Sequence, residues 1–193
     1  MERRKGTIVA RGGRKSLLWG AMVVAVALGA VGLYWFQPWK LWQNETIDEA
    51  LPTVAPGASS SGAANPGADA GADPAAAPKT VAQGSLITHE HATTGTVKLI
   101  RLADGSLTLR LEDLDTSNGP DLRVWLTDAP VKEGIAGWRV FDDGKYLSLG
   151  KLKGNKGDQN YPLPPGTDPS AFTSVTIWCE RFDVSFGAAA LKA

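Results

Sequence analysis

The chain has 193 residues, equal numbers of acidic and basic side chains, and one cysteine. A length of this order holds one domain, or one domain with a tail. Zero formal net charge gives no bulk attraction for nucleic acid, and one cysteine excludes an internal disulfide.

The basic residues are unevenly placed. Arg3, Arg4, Lys5, Arg11, Arg14 and Lys15 all precede Leu17–Phe36, a run without a charged residue. Its twenty residues, at about 1.5 Å each, match the roughly 30 Å hydrocarbon core of a bilayer. A helix there bonds its own backbone, as lipid demands. Trp19 lies at one end; Tyr34, Trp35, Trp39 and Trp42 lie at the other, where headgroups accommodate amphipathic rings. Only Lys40 follows closely on the far side. Basic flanks stay cytoplasmic, so the expectation is a single-pass plasma-membrane protein. Its N-terminus is cytoplasmic and its C-terminal part extracellular or periplasmic. A cleaved signal peptide has a shorter apolar region ending in small residues, whereas this one ends in Tyr34-Trp35-Phe36. Ala21, Ala25 and Gly29 form a small-residue stripe, ordinary in such a span.

The predicted organisation is a basic tail over 1–15, a transmembrane helix over 16–37, a juxtamembrane segment and linker over 38–84, and a domain over 85–193. From Pro52 to about Gly84 the chain is nearly all Ala, Gly, Pro, Ser and Asp. Without aromatics it cannot offset ordering entropy, so it reads as a disordered spacer spanning on the order of 30 Å. Asn44-Glu45-Thr46 is a glycosylation sequon, a short motif of little weight.

From Ser85 apolar and polar residues alternate. Gly95–Arg101 reads as a strand and Ala103-Asp104-Gly105 as a hairpin turn. Leu107, Leu109 and Leu111 then share one face. Asn118-Gly119-Pro120 makes a turn before a strand in which Leu122, Val124 and Leu126 alternate with Arg123, Trp125 and Thr127. Further strands are expected at Tyr146–Leu152, Asn160–Leu163, Ser174–Cys179 and Phe182–Gly187. No amphipathic helix follows Gly84. The expected fold is all-β: an antiparallel sandwich or barrel-like domain after the helix and linker.

The only cysteine, Cys179, shares a strand face with Val175 and Ile177, the core side by period two. A small buried hydrophobe is one reading; a free thiol outside the cytoplasm is the other. His89 and His91 flank Glu90, and two imidazoles with a thiolate form a copper-type donor set. The domain has no methionine for an axial position, and surface or turn-capping histidines are the simpler reading. No dedicated metal site is expected. Trp125 and Trp178 fall on the polar faces of their strands. They either line a binding surface or lie under a loop or second sheet. Sequence motifs for Ser hydrolases, zinc proteases and phosphate loops are lacking, and the many carboxylates sit in turns.

Five segments, in order, resemble the DM-thirteen domain family. They are His91–Val97 (HATTGTV), Asp104–Glu112 (DGSLTLRLE), Asn118–Leu126 (NGPDLRVWL), Leu149–Tyr161 (LGKLKGNKGDQNY) and Ser174–Leu191 (SVTIWCERFDVSFGAAAL). Gly-Asn-x-Gly-Asp-Gln and Ile-Trp-Cys are the most diagnostic. The resemblance implies a small extracytoplasmic β-domain of a family described beside haem- and sugar-binding β-sandwich domains in oxidative systems. It implies electron transfer through Cys179, either as a bare thiol or by holding a group such as haem; His91, from the histidine pair above, is a further candidate for binding a cofactor. Covalent haem is not expected, since the chain lacks Cys-x-x-Cys-His. An envelope redox or protein partner is implied. The alternative is a non-catalytic ligand- or protein-binding module of the envelope, with Trp125 and Trp178 as its surface.

Overall fold

The structure is a computed structural model and describes residues 13–52 and 77–193. It divides after Pro38 into two units. The first is α1, Gly13–Phe36. From Leu17 onward its large apolar side chains are exposed on every side. It is the one helix among the described residues long and apolar enough to cross a membrane.

The second unit carries ten strands: β1 Thr46–Asp48, β2 Lys79–Ser85, β3 Ile87–Thr88, β4 Thr94–Arg101, β5 Leu107–Asp115, β6 Leu122–Thr127, β7 Tyr146–Lys151, β8 Lys156–Pro162, β9 Ser174–Cys179 and β10 Val184–Ala190. They form two five-stranded sheets, ordered β1-β8-β5-β4-β2 and β3-β10-β9-β6-β7. Pairings are antiparallel except that of β1 with β8, which is parallel. This is the expected sandwich, not a closed barrel.

The alternation read from the sequence explains why the sheets pack. Val97, Leu99, Leu109 and Leu111 from the first sheet meet Val124, Leu126, Val175 and Ile177 from the second in one core. The β4–β5 turn closes through Gly105 at φ +84°, which glycine adopts without a Cβ clash. The Asp104 carboxylate there accepts from both the backbone N–H and the hydroxyl of Ser106. A second, smaller core lies on the other face of the second sheet. Trp125, Trp178 and Ala188 are covered by Ala129 and Phe141 from the β6–β7 connection.

Two differences from the sequence reading stand out. The sheets begin earlier than residue 85. β1 and β2 come from stretches read as juxtamembrane segment and linker, and residues 53–76 of that linker lie outside the described residues. In addition, β10 starts at Val184 rather than at residue 182. The Phe182 N–H donates to the Cys179 carbonyl and closes a turn first.

Candidate functional site around Cys179

Cys179 ends β9 and faces the main core, as its alternation with Thr176 and Trp178 requires. It is 0% exposed and pairs in register with Leu122 of β6 and Val184 of β10. The sulfur is more than a packed hydrophobe. The neighbouring backbone N–H groups of Phe182, Arg181 and Asp121 each favour negative charge there. Burial acts the other way and is larger, and the charge of Glu90 adds to it, so the thiol is pushed above its ordinary value. At neutral pH the sulfur stays protonated and is a poor nucleophile.

The turn over the sulfur, residues 180–183, is held from several directions. The Glu180 N–H donates to the Asp121 carbonyl. Arg139 Nη1 donates to the carbonyls of Phe182 (3.1 Å) and Asp183 (3.2 Å). Asp183 takes φ +49°, a left-handed conformation that costs a non-glycine residue energy.

The two histidines go to different places. A bend at residues 89–91 breaks the extended geometry that would align them. His89 is buried, with Nδ1 2.7 Å from Ser185 Oγ and Nε2 3.0 Å from the Lys132 carbonyl. That carbonyl only accepts, so Nε2 carries the hydrogen and Nδ1 accepts from the hydroxyl. Ser185 Oγ in turn accepts from Thr176 Oγ1 at 2.8 Å. Burial pushes the His89 pKa down, and the Lys132 carbonyl offsets this in part. The Ser185–His89 contact has the spacing of a nucleophile and base, but Ser185 is fully buried and the pair closes a structural chain. His91 instead lies with its ring 4.0 Å from that of Phe186, a member of the main core.

With both nitrogens of His89 engaged, the donor set of two imidazoles and Cys179 is not assembled. Among the described residues no group of three or more His, Cys, Asp or Glu is placed to hold a metal ion. Haem does not fit at Cys179 either: the residue is fully buried among the side chains of the main core, which leaves no face for an iron.

The tryptophans correct another expectation. Trp125 and Trp178 are 3% and 1% exposed, so neither lines a binding surface. Trp125 stacks on Tyr146 at 4.0 Å and on Trp178 at 5.1 Å, and Phe141 covers Trp178 edge-on at 6.5 Å. The outer face of the second sheet is a second buried layer, which is why polar alternation misreads it.

Sequence reasoning missed Arg139, Asp121, Phe182 and Ser185 around the site. Three of these act through backbone atoms or by pinning backbone, and such roles leave no side-chain signature. A family model described as "Electron transfer DM13" matches residues 85–191, more than half of the chain. No curated protein and no solved structure matches it.

Proposed function

Because the chain belongs to the electron transfer DM13 family, we propose that it is a single-pass membrane protein whose extracytoplasmic β-domain works in electron transfer through the sulfur of Cys179. The observation that carries this reading is the complete burial of the only thiol in the chain, at the end of β9 beside a turn that Arg139 pins. Burial holds the thiol protonated, so an oxidised envelope partner would take one electron from it as its proton leaves to solvent, and the reverse step would restore the thiol. The enclosure favours a bare thiol over a haem ligand. It also shields the sulfur from adventitious oxidation outside the cytoplasm. The basic tail before the helix supports an inward N-terminus.

The test uses the full chain purified in detergent. The expected protein is colourless, its thiol is inert when folded, and one equivalent labels after unfolding. Electron exchange with the membrane fraction is lost in Cys179→Ser while the fold persists. Exchange that survives Cys179→Ser overturns the assignment. A second reading, a non-catalytic binding module, draws on the same enclosure of the sulfur. It also draws on a groove lined by Thr80, Ala82, Gly84, Thr96, Ala190 and Lys192. A full chain that exchanges no electrons, yet captures an envelope protein that protects this groove from labelling, supports that module.

A further inference from the structure

We infer that residues 44–51, with strand β1 at their centre, are a permanent part of the β-domain, and that the Ala/Gly/Pro run 53–76 is a connection inside the domain rather than the spacer between it and the anchor. The inference rests on the membrane-anchor reading above only for what the segment is attached to.

The segment is bound from Asn44 to Ala50. β1 pairs with β8 in the register Thr46↔Lys156, Ile47↔Gly157 and Asp48↔Asp158. Before the strand, the Glu45 N–H donates to Asn155 Oδ1 at 2.7 Å, and Asn155 Nδ2 donates to Asn44 Oδ1 at 2.9 Å. After it, Lys153 Nζ reaches both Glu49 carboxylate oxygens, at 2.7 and 2.9 Å, and the Asn160 N–H donates to one of them. Lys153 thereby holds the Glu49 carboxyl below its ordinary value. Arg110 Nη1 donates to the Glu49 carbonyl, and Asn160 Nδ2 to the Ala50 carbonyl.

The receiving surface is shaped for it. A Cβ on Gly154 would lie 2.5 Å from the Glu45 carbonyl oxygen, and one on Gly157 2.1 Å from that of Ile47. Gly-Asn-Lys-Gly-Asp-Gln, residues 154–159, is thus a seat that admits a backbone only where side chains are missing. Arg110 is a second sign. It is 8% exposed, and a buried guanidinium needs partners. It finds Asp158, Glu112, Asn160 and the Glu49 carbonyl. Without β1, strand β8 would be a bare sheet edge.

The covalent distance from anchor to domain then changes. The chain between α1 and Asn44 is residues 37–43, of which Pro38–Trp42 form a 3-10 helix, and not everything up to residue 84. The length of 53–76 does not set how far the domain reaches.

The experiment uses the full chain in phosphatidylcholine nanodiscs. Hydrogen exchange of 44–51 is expected to be at least a hundredfold slower than in the free peptide. Gly154→Ala, and independently Lys153→Ala, should remove most of that protection while β9 stays protected. Energy transfer from a dye at Lys145→Cys to labelled lipid should be unchanged when half of 53–76 is deleted. It should fall when twelve Gly/Ser residues are inserted between Gln43 and Asn44. Free exchange in 44–51, or transfer that follows the length of 53–76, overturns the inference. Extraction of the chain by alkaline carbonate would refute the anchor instead, and leaves the exchange result to decide the strand.

Discussion

Arg139→Ala isolates what shelters the sulfur. The guanidinium sits on the surface and makes two hydrogen bonds, to the carbonyls of Phe182 and Asp183 in the turn over Cys179. An exposed hydrogen bond contributes about 0.5–1 kcal/mol net, so opening of the turn should become easier by about 1–2 kcal/mol. At about 1.4 kcal/mol per factor of ten, local opening becomes roughly five- to thirtyfold more frequent. Global stability should fall by less, because the Ser185 N–H still donates to the Trp138 carbonyl and β9 keeps both neighbours. The assay is the rate of thiol labelling of the folded full chain at pH 8, with urea unfolding measured alongside. An unchanged labelling rate refutes the latch. So does a rate increase that matches the loss of global stability, because the sulfur would then be reached only by unfolding.

Other outcomes follow from the same contacts. Phe141→Ala should cost about 3–5 kcal/mol and expose the tryptophan pair, read as a lower urea midpoint and red-shifted fluorescence, since Phe141 is wholly buried over Trp178. His89 is held neutral, with a folded pKa below its unfolded one. Its contribution is therefore present above the unfolded value, near 6.5, and is lost as pH falls below it toward the folded value. Urea midpoints at pH 7.5 and 5.0 should show the drop, and His89→Gln should flatten it. Gly84→Ala places a Cβ 2.1 Å from the Ala190 carbonyl oxygen, so the backbones must part. A destabilisation above about 1 kcal/mol is expected, with local exchange rising in β2 and at the C-terminus.

The parts of this fold that the sequence discloses are those where a strand has one wet and one buried face. Leu109 and Leu111 in β5, and Val175, Ile177 and Cys179 in β9, follow period two and lie in the core. Trp125 and Trp178 mislead because a second core covers the face that alternation marks as wet. β1 is only three residues long, and its partners lie more than a hundred residues away, so no local pattern signals it. β2, Lys-Thr-Val-Ala-Gln-Gly-Ser, has Val81 as its one large apolar residue and so shows no alternation to mark it. At the site, the strand face of Cys179 is legible, whereas the N–H groups of Asp121, Arg181 and Phe182 belong to turn geometry. The bend at 89–91 separates two histidines that spacing alone would align.

The proposed role of Cys179 in electron transfer is tested most directly by electrochemical titration of the full chain beside Cys179→Ala. The account predicts a reversible signal in the native chain that vanishes in the variant, with both chains folded as judged by urea midpoint. A signal of the same size and potential in Cys179→Ala, or no signal in the native chain, contradicts it.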